Sequence, residues 1–130
     1  MRVDLAVLAD YATVTNDKKL VIIGVFDTIR AATLPVLHAS MYVALRVCTG
    51  PEDNGDHTLT VRLVDPDGRT VAELKADFTV QVPLDEEGVA ALQLVLGLGN
   101  VKFKVAGPYA VDILIDGRYE ETVSLRLQGP

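Results

Sequence analysis

The chain has no tryptophan, one cysteine and two histidines among its 130 residues, and each scarcity argues against a class of function. Aromatic residues make up only 5% of the chain, so a platform on which sugars could stack is poorly supplied. Cys48 is the single cysteine and can form no disulfide within the chain, which favours a reducing, cytoplasmic location. His38 and His57 lie 19 residues apart and belong to no metal-ligand motif, so we predict no metal bound by either.

Long apolar runs and basic runs are also missing. No apolar stretch approaches the roughly 18–20 residues of a membrane helix, and lysine and arginine form no cluster in the sequence. The net charge is −6, and a negative electrostatic field repels phosphate backbones and anionic lipid. We therefore predict no nucleic-acid partner and no membrane partner. Residues 1–4 lead directly into a strand pattern, and we expect no signal peptide.

The sequence lacks a recognisable catalytic motif. Ser40 and Ser124 lie in no nucleophile elbow and have no base beside them in the sequence. The acidic segments 52–56 and 85–87 are typical of solvated loops, which do not hold two carboxylates at the fixed separation that glycoside hydrolysis needs. Residues 97–100 lack the Lys-Ser/Thr ending and the following helix of a phosphate loop, and we predict a tight turn there. We predict that the protein is not an enzyme and uses no cofactor; a deep pocket holding a histidine beside a carboxylate would revive that class.

What the chain does have is alternation of apolar and polar residues. Between residues 72 and 82 every second side chain is apolar, and the places between are filled by polar and charged residues. Successive side chains of a strand point to opposite faces, so this segment predicts a long strand with one buried face. A chain of this length fits one domain, and we assign residues 1–130 to it.

Similar segments and turn signals recur along the chain and predict eight or nine strands. Asp65-Pro66-Asp67-Gly68 favours a type I hairpin turn, and Asp116-Gly117 favours a two-residue hairpin. Tyr109 follows a Gly-Pro turn at the start of a late strand, as in the tyrosine corner of Greek-key sandwiches. The predicted fold is an all-β antiparallel sandwich, immunoglobulin-like in the broad sense, with Greek-key or meander connections. Strands are predicted at 3–9, 20–29, 40–48, 57–64, 72–82, 89–96, 101–105, 109–115 and 118–127.

Two segments of the chain resemble a bacterial family of small single-domain proteins of unknown function. The first is the opening from Leu5 to Tyr11, and the second is the Lys-Leu-x-x-x-Gly-x-Phe pattern of residues 19–26. Members close with a Gly-x-Tyr and Asp-Gly pattern, and the chain departs from the family at Lys18, where glycine is more usual. The resemblance implies a bacterial β-sandwich, and it implies no activity. The closing pattern is matched here by Gly107, Tyr109, Asp116 and Gly117.

Asp65, Asp67 and Asp116 are the candidate ligands for a Ca²⁺ ion. The Asp-x-Asp-Gly turn could begin a calcium loop, but the ligands that an EF-hand requires further along are missing. A sandwich that brought the loops of Asp65, Asp67 and Asp116 to one end could still assemble a site. The competing interpretation is a hairpin turn with solvated carboxylates, which the turn chemistry favours.

The chain has more apolar side chains than one core needs. Residues 20–29 are apolar on both parities, so this strand is predicted to be covered on both faces, either as a central strand or at a subunit contact. Gly24 in its middle suggests a bulge or a close backbone approach. We predict a homodimer whose contact includes strands one and two, and a non-catalytic interaction or assembly module as the function. The alternative is a ligand-binding or Ca²⁺-binding sandwich that uses acidic end loops.

Overall fold

Nine strands form two packed sheets within the described residues, which confirms the predicted all-β sandwich. A computed structural model describes residues 1–83 and 90–130. The predicted acidic loop at 83–88 therefore lies, apart from Pro83, outside the described residues. One 3₁₀ turn, Pro51–Asp53, precedes the fifth strand. The strands are β1 (Arg2–Val14), β2 (Leu20–Phe26), β3 (Thr28–Arg30), β4 (Val36–Thr49), β5 (Gly55–Val64), β6 (Thr70–Val80), β7 (Ala90–Phe103), β8 (Gly107–Ile115) and β9 (Arg118–Gln128).

The two sheets differ in strand order and share one core. One sheet has four strands in the order β2-β1-β4-β7, and the other has five in the order β3-β9-β8-β5-β6. Neighbouring strands are antiparallel except for β3, which runs parallel to β9. Period-two burial produces the core: Leu59, Val61 and Leu63 of β5 are fully buried, while the residues between them are polar or charged. The predicted strand at 72–82 is β6, with Phe78 and Val80 buried on its apolar face.

The predicted strand at 20–29 is two strands in different sheets. β2 ends at Phe26, and after Asp27 the chain crosses to pair Thr28 with Arg126 of β9. β2 is an edge strand, so the expectation of a central position was wrong. One of the two apolar faces of β2 is exposed to solvent, because no element packs on that side within the described residues. A strand sequence that is apolar at both odd and even positions does not distinguish a strand covered on both faces from an edge strand with one exposed apolar face.

The tight turn predicted at residues 97–100 is wrong, because these residues continue β7. The buried positions of β7 change phase there: Leu98 is buried on one parity, and Val101 and Phe103 are buried on the other. Asn100 has a φ of 52°, and this left-handed residue produces the change of phase without shifting the pairing with β4. β4 begins at Val36, before the start at residue 40 that was predicted for this strand.

Local turn chemistry is confirmed at three places. The Asp65 backbone N–H donates a 2.8 Å hydrogen bond to the Arg69 carbonyl, which closes the hairpin, and Gly68 has a φ of 85°. Asp116 and Gly117 have φ values of 53° and 79°, as a two-residue hairpin with both central residues left-handed requires. The Tyr109 hydroxyl donates a 2.7 Å bond to the Val105 carbonyl, which is the predicted corner.

Candidate functional site

The three candidate Ca²⁺ ligands lie at opposite ends of the sandwich. β5 and β8 run antiparallel with Leu59 opposite Ile115 and Val64 opposite Ala110. Asp116 therefore lies beside the beginning of β5, whereas Asp65 and Asp67 follow its end, roughly six residues or about 20 Å away. The meeting of these loops that the Ca²⁺ alternative requires therefore does not occur. Among the residues that the structure describes, no group of three or more His, Cys, Asp or Glu side chains is placed to hold a metal ion.

The Asp65 carboxylate has a structural task in its turn. Its Oδ1 accepts hydrogen bonds from the backbone N–H groups of Asp67, at 2.9 Å, and Arg69, at 2.8 Å. Aspartate in this position closes the backbone locally and stabilises the hairpin. The interpretation of the Asp-x-Asp-Gly motif as a hairpin turn therefore accounts for the position and the hydrogen bonds of the Asp65 side chain.

The structure does bring a histidine beside a carboxylate, at a place that sequence reasoning missed. His57 Nδ1 lies 2.6 Å from Asp116 Oδ2, and its Nε2 lies 2.6 Å from the Asp53 carbonyl oxygen. The hydrogen bond to Asp116, followed by that to Asp53, raises the pKa of His57 above its ordinary value of 6.5. The hydrogen bond from His57, followed by that from the Thr58 N–H, lowers the pKa of Asp116 below 3.8.

Hydrogen-bond chemistry determines what His57 can do. A carbonyl oxygen and an ionised carboxylate only accept, so both bonds exist together only when both ring nitrogens carry protons. The imidazolium ring also stacks on Phe78, with 5.4 Å between the ring centroids. Neither nitrogen is free to take up a proton or to bind a metal. His57 joins three segments that are distant in sequence: the 3₁₀ turn at Asp53, the start of β5, and the β8–β9 hairpin at Asp116. No short-range signal in the sequence reveals this contact, because it depends on the register of β5 with β8.

The remaining candidates lie apart from one another. His38 belongs to β4, although it lies outside the strand predicted at 40–48, and its ring centroid lies 6.2 Å from that of Phe26 and 6.5 Å from that of Phe103. Its Nε2 is buried without a hydrogen-bond partner among the described residues. Cys48, near the end of β4, is half-buried and its thiol donates to Asp4 Oδ2 at 3.2 Å.

The outer face of the four-stranded sheet carries the most exposed apolar surface of β1 and β2. The register places Ala9 opposite Val25 and Tyr11 opposite Ile23, so these side chains share one face. Val25 is 62% exposed, Ile23 56% and Tyr11 46%. We call this surface the β1–β2 face; it consists of Leu5, Val7, Ala9, Tyr11, Thr13, Val21, Ile23 and Val25. None of these eight residues is charged, although the chain carries a net charge of −6.

An aromatic pair continues the β1–β2 face onto β4. The rings of Tyr11 and Tyr42 meet edge to face with 5.4 Å between their centroids. Tyr42 lies across Gly97 of β7, where a Cβ atom would come within 3.3 Å of the ring. The absence of a side chain at Gly97 therefore lets the ring lie flat on the sheet. Ala9 and Ala44 have no exposed surface although they are on the outer side of the sheet.

Comparisons with known proteins identify the family of the chain. Residues 4–128 match the model of a family of unknown function, DUF6941. No curated protein matches the chain. Among solved structures, the chain is similar to an immunoglobulin-like protein from Pseudomonas aeruginosa, with 15% sequence identity and a TM-score of 0.48. That similarity covers 98% of this chain and 95% of the other. Within the described residues, no helix has the length and apolar character needed to cross a membrane.

Proposed function

The chain belongs to the family of unknown function DUF6941, and we propose that it is a non-catalytic interaction module of the bacterial cytoplasm that acts as a homodimer through β1 and β2. The observation that carries this proposal is the β1–β2 face, an uncharged surface whose large side chains are half-exposed. The cytoplasmic part rests on the single cysteine, and the bacterial part on the sequence resemblance.

The size of the exposed apolar surface supports an interface. Leu5, Tyr11, Val21, Ile23 and Val25 are each between 37% and 62% exposed. Taking ~150–200 Å² for a whole large apolar side chain, the exposed parts add up to on the order of 400 Å². Patches of this size on a soluble monomer are frequently functional. In a dimer with about 800 Å² buried per partner, the β1–β2 face would supply the apolar centre.

The arrangement of charge supports a second copy as the occupant. Two chains of net charge −6 repel each other, so a contact between copies is favoured where acidic side chains are missing. The β1–β2 face contains only apolar residues and Thr13, and a two-fold axis would place it against its own equivalent. Two sheets can pack face to face in this way at about 10 Å, as they do within the sandwich itself.

The experiment is a measurement of mass in solution with matched variants. We expect light scattering at micromolar concentration to give twice the 14.0 kDa of one chain. Val25→Asp introduces a carboxylate into each copy of the β1–β2 face and should give the mass of one chain. Val105→Asp is the control, because Val105 is also exposed, at 43%, but lies in the connection between β7 and β8.

Three results would contradict the proposal: a wild-type mass of one chain, a dimer that persists in Val25→Asp, or equal loss of the dimer in Val105→Asp. Circular dichroism of each variant separates loss of the contact from loss of the fold.

A further inference from the structure

A second surface lies at the opposite edge of the four-stranded sheet from β2, and unlike the β1–β2 face it includes charged residues. β7 and β6 are edge strands of the two sheets and are not paired with each other, so the sandwich is open between them. Where the β5–β6 turn faces the end of β7, the opening forms a cleft of about 500 Å³. We call it the edge cleft. Its volume lies within the roughly 300–1,000 Å³ range of small-molecule sites.

The floor of the edge cleft is apolar and packs against the core. Val101 and Tyr109 are buried, and Val71 and Ala72 of β6 are half-buried against the core. The Tyr109 hydroxyl is held by the Val105 carbonyl in the corner described above. Burial raises the pKa of Tyr109 above 10.0, so the phenol is uncharged at neutral pH. The floor can therefore accept an apolar group without an ionised side chain beneath it.

The rim of the edge cleft concentrates positive charge. Arg69, Lys102 and Lys104 line it, together with Asp65 and Asp67. Within the part of the chain that the structure describes, none of these three cations forms a salt bridge. One of the two carboxylates, that of Asp65, already accepts two backbone hydrogen bonds in its turn. The cleft thus has a surplus of cations in a chain with a surplus of acids.

We propose that the edge cleft binds a small organic anion, in which one phosphate or carboxylate group is attached to an apolar body. The anionic group would bind Arg69, Lys102 and Lys104, whose N–H donors suit phosphate and carboxylate oxygens. The apolar body would cover Val71, Val101 and the ring of Tyr109. Both parts are needed, because exposed cations alone bind a simple anion weakly.

The test is titration of isotope-labelled full-length protein with phenyl phosphate, followed by amide chemical shifts. We expect shifts in residues 69–72 and 99–105 and none in the β1–β2 face. Arg69→Gln and Lys102→Gln should each weaken binding about fivefold, the effect of losing one partly exposed charged contact. Arg118→Gln is the matched control, since it removes the same charge from the β8–β9 hairpin at the other end of the fold. The same titration with benzoate in place of phenyl phosphate shows whether the cleft prefers a carboxylate or a phosphate group.

Inorganic phosphate alone tests the contribution of the apolar floor. It should bind at least about tenfold more weakly than phenyl phosphate, since burial of the phenyl ring adds to affinity. Equal binding of the two, no shifts at millimolar concentration with either organic anion, or equal weakening by Arg118→Gln would each overturn the proposal. The homodimer is read from mass in solution, so the two proposals fail independently.

Discussion

Replacing Tyr109 by phenylalanine removes one hydroxyl and leaves the rest of the corner in place. The hydroxyl donates a 2.7 Å bond to the Val105 carbonyl, which joins the start of β8 to the end of the β7–β8 connection. The ring itself is only 4% exposed and meets Phe103 edge to face, with 5.1 Å between the centroids. Phenylalanine retains this aromatic contact, so the variant isolates the hydrogen bond.

The expected loss of stability follows from the environment of the two partners. Leaving a buried group without its hydrogen bond costs about 1–3 kcal/mol. Here the side chain of Val105 is 43% exposed, so water can reach this segment and hydrate its carbonyl. We therefore expect the lower end, about 1 kcal/mol, which corresponds to roughly 3–5 °C in Tm for a domain of this size.

Urea unfolding at a fixed protein concentration measures the free energy of unfolding directly. Tyr119→Phe is the matched control: its hydroxyl is also hydrogen-bonded, in this case to Thr122 Oγ1, but Tyr119 is 61% exposed. We expect that variant to remain within about 0.5 kcal/mol of the wild type. If Tyr109→Phe were as stable as Tyr119→Phe, the corner bond would contribute nothing and the argument from burial would be wrong.

Three further changes test other parts of the fold. His57→Gln should lower Tm most between pH 3.8 and 6.5, because the pKa of His57 is raised and that of Asp116 is lowered in the folded protein. The stability that His57 contributes is complete below pH 6.5 and is lost as the pH rises through its raised pKa, and the stability that Asp116 contributes is lost as the pH falls through its lowered pKa. A Tm difference independent of pH would contradict this. Gly24→Ala should lose about 1 kcal/mol in urea unfolding, because Gly24 has a φ of 70° and a Cβ would lie 2.4 Å from Asp10 Oδ2; Asp10→Ala should restore only the steric part. Phe103→Ala empties a fully buried position and should lose about 3–5 kcal/mol by the same measurement, and a loss below about 1 kcal/mol would place Phe103 outside the core.

The parts of the fold that depend on neighbours in sequence could be predicted from the sequence. Alternation over residues 72–82 predicted β6 and its buried face because side-chain direction in a strand is a local property. The hairpins at Asp65 and Asp116 followed from residues that tolerate the required φ values. Tyr109 was predicted at its corner from the Gly-Pro turn before it.

The candidate site could be predicted only in part. The surplus of apolar residues in strands one and two indicated an uncovered surface, and the β1–β2 face is the surface that the register assembles from them. No signal in the sequence indicated the edge cleft, because Arg69 lies in the β5–β6 turn of one sheet and Lys102 belongs to β7 of the other. The Ca²⁺ hypothesis grouped Asp65 and Asp67 with Asp116, which the antiparallel register of β5 and β8 places at the other end.

By itself, the sequence determined that the chain alternates, turns and packs as β structure, because backbone preference and side-chain period act within a few residues. Only the tertiary structure decided that residues 20–29 divide at Asp27 between two sheets, that β7 changes its buried parity at Asn100, and that His57 meets Asp116. Each of these depends on which strand lies beside which and in what register. That choice is made by the packing of the whole core, and no single segment contains it.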